Sequence, residues 1–574
     1  MPHATVPSPG LQAIILCGPG ESLSTFTSTP KDFSKALIPI ANRPMVWYPL
    51  DWCHRMGITD ITLVTPDESR PGLESALATN PALTSLPSPK PTIVAPSDLT
   101  QTTGTGELLR LPEVQKAITS DFVILPCDLI SELDGSKIIQ QWMTLNPISA
   151  SGQRASRKGG LSVFYPTYGL EGISQKKDET DFIATAPLEK AAVPPPPGSL
   201  RSDIETLVLS MPTDTLNDKI EDDKDMFRMR AQLPQKYGRV KLRRMHRDAH
   251  VYVFPKWVKD FAAQNEKFDA ISEDVLGWWA KAQWQPGLGE KLGMDEALTH
   301  KSSTPNAMSE SGDLEEDSIE ASQLSSTKVS LPVRAAPRAS FASRVRTSAP
   351  ATLSQLEVPP LLAYIQPNPK STTPTPEQPL IRRVDTSLAL LSVSLYLAKQ
   401  PTSHALAHEH KVHPTANVGQ QSRVSQEDSL VAENVRIGFR SVVKESVVGA
   451  NCDIGNNVRL TRCLLMDGVT VGDGVQLTGC IIGRRAKLEG TKPVPAPAEG
   501  SAEAGEKKQG KKAAAAEDDE DRTRLTDCEV APSFHVEAGT EAKGEKMMAF
   551  DTDDLDDFED DEDDEGGDVS GSEA

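Results

Sequence analysis

Phosphate chemistry needs backbone N–H groups that can reach an oxyanion and a cation nearby to neutralise it. The stretch LQAIILCGPGESLSTFTSTPKDFSKALIPIANRPM, from Leu11 to Met45, has residues of both kinds. An apolar run breaks at Gly18 and Gly20, and Lys35 follows in Ser34-Lys35-Ala36. Glycines at such a turn leave the main chain open to a phosphate. The seven cysteines offer less. Cys17, Cys53, Cys127, Cys452, Cys463, Cys480 and Cys528 sit mostly inside apolar runs and never form a Cys-x-x-Cys pair. They read as reduced core residues, not as metal ligands or a disulfide frame.

The elements that would carry the glycine loop alternate in type. AIIL (Ala13–Leu16), ITLVT (Ile61–Thr65), TIVA (Thr92–Ala95) and FVILPCD (Phe122–Asp128) read as buried strands, rich in β-branched and apolar residues. Between the first two, PMVWYPLDWCHRMG has helix-spaced apolar positions and a stop at Gly57. Alternation of this kind predicts an open, mainly parallel α/β sheet with ligands at the carboxyl ends of its strands.

A second pattern lies further on. Val431, Val448, Leu465 and Ile482 are each 17 apart, as are Ile437, Ile454, Val471 and Leu488, and Val443, Leu460 and Leu477. Within each unit the apolar residues step by 6, 6 and 5. Three short strands per turn with like stacked over like describe a parallel β-helix of hexapeptides. Val412, Val418 and Val424 keep the six-residue step but lie 19 before the next register, as an atypical first coil would.

These patterns divide the chain into an α/β nucleotidyltransferase-like (Rossmann-like) domain at 1–289, a disordered linker at 290–356, a helical connector at 357–409 and a left-handed parallel β-helix at 410–490. A low-complexity insertion at 491–523, a closing coil at 524–546 and an acidic disordered tail at 547–574 complete it.

The 574 residues hold 60 Lys plus Arg against 81 Asp plus Glu, a net charge of -21. Asp551–Ala574 alone carries 14 acidic and no basic residues, two thirds of the imbalance. The tail is either solvated charge or a docking segment for a basic partner. Direct nucleic-acid binding is not expected. The run SLALLSVSLYLA from Ser387 falls short of the ~20 residues that cross a bilayer, and the N-terminus has no secretory pattern, so neither export nor a membrane span is expected.

A sheet domain followed by a hexapeptide β-helix resembles the sugar-nucleotide pyrophosphorylases, whose first strand leads into G-x-G-x-R-L and then Pro-Lys-Pro. Gly18 and Gly20 match those glycines, Ser22 stands at the Arg position, and Lys35 remains without its flanking prolines. QTTGTGELL resembles the Leu-Gly-Thr-Ala base-pocket motif, retaining Gly104 and Thr105, and FVILPCD resembles the strand that ends on the metal-binding aspartate, here Asp128. The resemblance implies a vestigial nucleotide pocket of Gly18, Gly20, Ser22, Lys35, Gly104, Thr105 and Asp128, with no catalytic residue, metal or cofactor. Loss of the loop Arg removes a contact made where charge develops, a loss that typically costs orders of magnitude in rate.

KALIPIANRPMVWYPLDW, LPCDLI and DAHVYVFPKWVKDF, together with GTEAKGEK and an acidic end, resemble the gamma subunits of the guanine-nucleotide exchange factor for eukaryotic translation initiation factor two. Epsilon subunits of that factor share both domains and add a helical exchange domain, for which fewer than 30 residues follow Lys546. The resemblance implies a cytosolic, non-catalytic partner of epsilon, in a complex with alpha, beta and delta subunits, that supports GDP release from initiation factor two. The alternatives are an active sugar-nucleotide pyrophosphorylase, supported by Lys35 and Asp128 and opposed by Ser22, and a hexapeptide acyltransferase. The latter wants a His between coils, and Val431–Gly490 contains none.

Overall fold

The computed structural model describes residues 8–19, 23–27, 33–100, 102–148, 157–168, 179–222, 224, 226–299, 357–368, 379–490 and 522–548. Gly20, Ser22, nearly all of the linker at 290–356, the insertion at 491–521 and the tail from 549 onward lie outside the described residues.

Nine strands form the first sheet: β1 Gln12–Leu16, β2 Ile61–Val64, β3 Thr92–Val94, β4 Phe122–Pro126, β5 Gly160–Pro166, β6 Asp181–Ala186, β7 Ile204–Pro212, β8 Lys241–Phe254 and β9 Leu361–Ile365. Their order is β3-β2-β1-β4-β8-β5-β9-β7-β6. Period-2 alternation sends successive side chains to two core layers. Ala13, Ile15, Val123 and Leu125 enter one layer, whereas Ile14, Phe122 and Ile124 enter the other. Both faces are therefore covered, which is why these strands are apolar throughout. The helix Trp47–Arg55 covers one face and stops at Gly57, whose φ of 76° suits a residue without Cβ.

Two expectations are corrected. The sheet is mixed: β3, β2, β1 and β4 run parallel, but β8 is antiparallel to β4 and β5, and β7 is antiparallel to β9 and β6. The stretch read as a helical connector at 357–409 is helical only over Ser387–Lys399. Its first strand, β9, completes the sheet between β5 and β7, and Ile381–Arg383 pairs with Leu129–Ser131. The sheet domain therefore extends past residue 289. The long apolar run of the helix dominated the local pattern, and strands of five and three residues are too short to show a period.

The β-helix consists of three six-stranded parallel sheets. Its pairing follows the 17-residue spacing: Val431↔Val448, Leu465↔Ile482, Ile437↔Ile454, Val471↔Leu488 and Leu460↔Leu477 are all in register. The atypical first coil joins through Val418↔Ile437 and Val424↔Val443, and after the insertion Leu525 stacks on Leu477. Corners need left-handed backbone. Asn434 and Asn451, one coil apart at φ 56° and 57°, fill two of them and hydrogen-bond to each other at 3.3 Å.

One face of the β-helix is doubly apolar, reading LV, VV, LL and II in successive coils. Val431, Val448, Leu465 and Ile482 fill the interior, while Leu430, Val447, Leu464 and Ile481 point outward into the same core as the sheet domain and the helix Ser387–Lys399. The two domains thus share one hydrophobic core.

Ile454 is 1% exposed within the stack. Ile454→Asp would bury an unpartnered charge at a cost of several kcal/mol, about the whole margin of a typical domain. The expected outcome is loss of soluble protein, or a large fall in Tm, read by expression and thermal melting.

Candidate functional site

Strand β4 ends at Pro126, and the next two residues, Cys127 and Asp128, lie at the carboxyl edge of the sheet, where an open α/β sheet presents ligand-binding groups. Asp128 is 1% exposed. Lys35, on a short 3₁₀ turn beyond β1, donates to its Oδ2 at 2.9 Å. Arg383 donates through Nε to Oδ1 at 3.3 Å and through Nη2 to Oδ2 at 3.4 Å. Both carboxylate oxygens are therefore occupied by cations of the chain itself.

Register places Arg383. Its strand pairs with Leu129–Ser131 so that Arg383 faces Leu129, and Val384 N–H donates to the Asp128 carbonyl at 2.9 Å. Arg383 Nη1 lies 3.2 Å from His250 Nε2, so a neutral imidazole with an unprotonated Nε2 accepts there. A second layer backs the first: Arg247 donates to both oxygens of Asp385 at 3.2 and 2.5 Å. Asp248 N–H donates to Asp181 Oδ2 at 2.6 Å, and the Tyr252 hydroxyl donates to Asp248 Oδ2 at 2.7 Å.

Burial sets the electrostatics. It opposes the charge on Asp128, but Arg383 and Lys35 overcome it and hold the carboxyl far below the usual carboxylate range. Burial also opposes the charge on Lys35, and the Asp128 carboxylate more than offsets it, leaving the ammonium above its ordinary value. His250 is pushed well down by burial and by the Arg383 guanidinium, in keeping with a neutral ring. Asp248 is raised to about 7 by burial and by the neighbouring Asp181, and burial raises Asp181 to about 6.

Of the residues singled out in the sequence, the structure brings Lys35 and Asp128 into direct contact. Gly18 follows β1 with open space where a Cβ would stand. Gly104 and Thr105 are engaged elsewhere. A Cβ on Gly104 would lie 2.2 Å from the Asp269 carbonyl oxygen, and the Thr105 hydroxyl accepts from Ile271 N–H at 3.0 Å. Gly106 N–H donates to the Asp269 carbonyl at 2.6 Å. This glycine loop is closed against its own chain.

Sequence reasoning missed Arg383, His250 and the Arg247–Asp385 pair. The available signal was the charged run RRVD inside the apolar segment LIRRVDTSLALL. A buried Arg needs a carboxylate, but sequence alone does not say which one. A divalent cation at Asp128 would have to displace Lys35 or Arg383, and among the described residues no cluster of three or more His, Cys, Asp or Glu could hold a metal. The residues present do not fit a metal site.

Comparison with known proteins agrees with this architecture. The nucleotidyl transferase family model matches residues 12–152, and the model of the EIF2B subunit epsilon LbH domain matches residues 408–495. Translation initiation factor eIF2B subunit gamma of Schizosaccharomyces pombe is 25% identical over 303 residues. The likeness is to an eIF2B gamma subunit. The match spans 51% of this chain and 56% of that relative, so the chain covers little more than half of the eIF2B gamma subunit it resembles. The β-helix matches a family model described for epsilon, and the longer match is to gamma. None of the helices of the described residues is long and apolar enough to cross a membrane.

Two outcomes follow from the buried charges. Asp128→Asn strands Lys35 without its counter-charge, leaves Arg383 only its longer pair with Asp385 at 3.8 Å, and should lower unfolding free energy by about 3–5 kcal/mol, measured by denaturant titration. Asp248, with a folded pKa of about 7 against roughly 3.9 unfolded, holds its proton more tightly when folded. That contribution is full below about pH 4 and lost as pH rises through about 7. The stability of the native chain relative to Asp248→Asn should therefore fall from pH 5 to pH 8 by at most about 1.4 kcal/mol per unit. A flat difference across that range refutes the assignment.

Proposed function

We propose that this chain is a non-catalytic regulatory subunit of the guanine-nucleotide exchange factor for translation initiation factor two. It acts in the cytosol with an epsilon subunit and in a complex with alpha, beta and delta subunits. The observation that carries the non-catalytic part is the pairing of Asp128 with both Lys35 and Arg383. A nucleotidyltransferase needs a carboxylate open to a metal and a lysine open to a phosphate. Here each satisfies the other in a site that water barely reaches. The likeness to eIF2B subunit gamma supports the rest of the reading.

On this reading the chain works by position. A body that binds epsilon and holds initiation factor two in one orientation lowers the entropic cost of productive encounter without touching the reacting groups. The alternative, an active sugar-nucleotide pyrophosphorylase, draws on the same Lys35 and Asp128, and the two readings part in one assay series.

GDP release from initiation factor two is measured with epsilon alone, with this chain alone and with both, beside release of pyrophosphate from a nucleoside triphosphate and a sugar phosphate. The expected outcome is negligible GDP release with this chain alone, a clear gain when it joins epsilon, and no pyrophosphate. Equal GDP release by epsilon with and without the chain rejects the regulatory role, and magnesium-dependent pyrophosphate formation favours the enzyme.

A further inference from the structure

The far edge of the sheet domain carries a surface unlike the rest of this acidic protein. Between Met226 and Arg247 the sequence has eight Lys or Arg and no Asp or Glu, within a chain of net charge -21. That segment, with β6, β7 and the helix Leu276–Ala282, borders a groove of about 430 Å³. Its floor is apolar, with Leu209, Leu233 and Trp284. Its rim is apolar too: Met226 is 53% exposed, Met229 44%, Leu242 49% and Trp278 37%. Lys219, Arg228, Arg230 and Lys281 line it, with Asp222 as the acidic residue of the lining. Burial first, and then Lys219 and Arg230, hold the Lys281 ammonium below its ordinary value, so a carboxylate arriving here relieves charge repulsion.

A groove both cationic and methionine-rich fits a segment that carries carboxylates and aliphatic side chains together; methionine adapts to apolar occupants and arginine pairs with carboxylates. The linker, whose residues 300–356 lie outside the described ones, contains such a segment. Its charge is divided: residues 302–327 hold six acidic and no basic side chains, whereas 328–356 hold five basic and no acidic ones. Leu314, Ile319 and Leu324 stand among the carboxylates in DLEEDSIEASQL. Charge therefore selects the first half for this groove and rejects the second. We propose that the acidic half of the linker docks in cis in the groove, with Leu314 and Ile319 on its apolar floor and Glu315, Glu316 and Asp317 against Arg228, Arg230 and Lys281.

Both tethers allow it. Gln285 lines the groove, and the 14 residues from there to Thr299 include ten in the short helices Leu288–Lys291 and Met294–Thr299. At ~1.5 Å per helical residue and ~3.4 Å for each of the others, Thr299 lies within roughly 30 Å of the rim. Another 14 residues lead from Thr299 to Asp313, enough to span roughly 45–50 Å. The linker also returns beside the groove. The Trp279 indole donates to the Pro359 carbonyl at 2.9 Å, and Leu361 N–H donates to Gln283 Oε1 at 3.2 Å, on and just after the helix that supplies Trp278 and Lys281. A segment tethered at both ends in this way meets the groove at an effective concentration on the order of 1 mM, so a dock with Kd about 0.1 mM is filled about ten to one. The docked segment must leave before another acidic, apolar ligand enters, which makes the linker a competitor for this face. The proposal stands apart from the exchange-factor reading and does not need it.

The test compares backbone hydrogen exchange over residues 226–245 in the native chain and in a full-length variant whose residues 302–327 are replaced by Gly and Ser at equal length. In about 20 mM salt the segment should exchange about tenfold more slowly in the native chain, and the difference should shrink to about twofold or less in about 500 mM salt. Leu314→Ser with Ile319→Ser keeps every linker charge and should lose most of the protection; Arg228→Glu with Arg230→Glu should lose it as well. Ending the chain at Met548 should leave the protection unchanged. Equal exchange in the native and Gly-Ser chains at low salt overturns the proposal. So does full protection in the double serine variant, since that leaves unspecific charge alone. Protection lost on ending the chain at Met548 gives the groove to the acidic tail instead, and protection that grows with protein concentration overturns docking in cis in favour of a second copy.

Discussion

Everything in the sheet domain is arranged around one buried carboxylate. Asp128 is withdrawn from water at the end of a core strand, and an ion so placed is tolerated only if its charge is matched and its lone pairs are used. The two matching cations come from opposite directions along the chain, Lys35 from 93 residues before and Arg383 from 255 residues after. To deliver Arg383, the chain must return from the linker, add β9 to the sheet and pair Ile381–Arg383 with Leu129–Ser131. The same return leads directly into the helix Ser387–Lys399, on which the β-helix rests. The charge cluster and the domain arrangement are therefore consequences of one chain path.

The joint between the domains shows what that path secures. In the segment Ile40–Arg43, Ala41 and Asn42 adopt left-handed backbone at φ 45° and 62°, an uncommon state that persists where surrounding contacts fix it. Asn42 Nδ2 donates to the Val448 carbonyl of the β-helix at 2.9 Å, and Arg43 donates to the carbonyls of Leu406 and Ala407 at 2.7 and 3.0 Å. His408 stands 2.6 Å from the Ala41 carbonyl. Burial, aided by Arg43, lowers its pKa to about 4, so the ring is neutral near pH 7 and donates to that carbonyl. Polar groups along this seam are paired across it, and apolar ones share a core, so the two domains pack as one body.

Much of this was legible in the residues. The parallel strands β1 to β4 and the 17-residue coils carry strong periodic patterns, since a buried strand or a stacked coil forces apolar residues to recur. What escaped the reading was short or non-local. LLAYI and IRR carry no period of their own, and their strand character comes from partners found more than 150 residues earlier, as in Leu361↔Gly160, Leu362↔Thr206 and Arg383↔Leu129. The site was legible only in part for the same reason. Lys35 and Asp128 stand on motifs, but whether they face a ligand or each other depends on Arg383, whose position the sequence leaves open. Gly104 illustrates the opposite risk. A glycine in a ligand-loop motif is here required by close packing against the Asp269 carbonyl oxygen.

A filled charge site also changes what the fold can offer a partner. An open nucleotide pocket needs loops that move to admit a ligand and exclude water, and such loops are drawn from the less stable parts of a structure. The contacts of Lys35 and Arg383 with Asp128, and of the Thr105 loop with Asp269–Ile271, tie these described segments at the carboxyl edge to the sheet domain itself. The common core then fixes the β-helix against the same domain. Surfaces on both domains are thus held at constant separation and orientation. A rigid, wide template of this kind can place two other molecules relative to each other at low entropic cost. A cluster whose charges satisfy one another and a core that joins two domains are, in physical terms, the two features that hold such a template together.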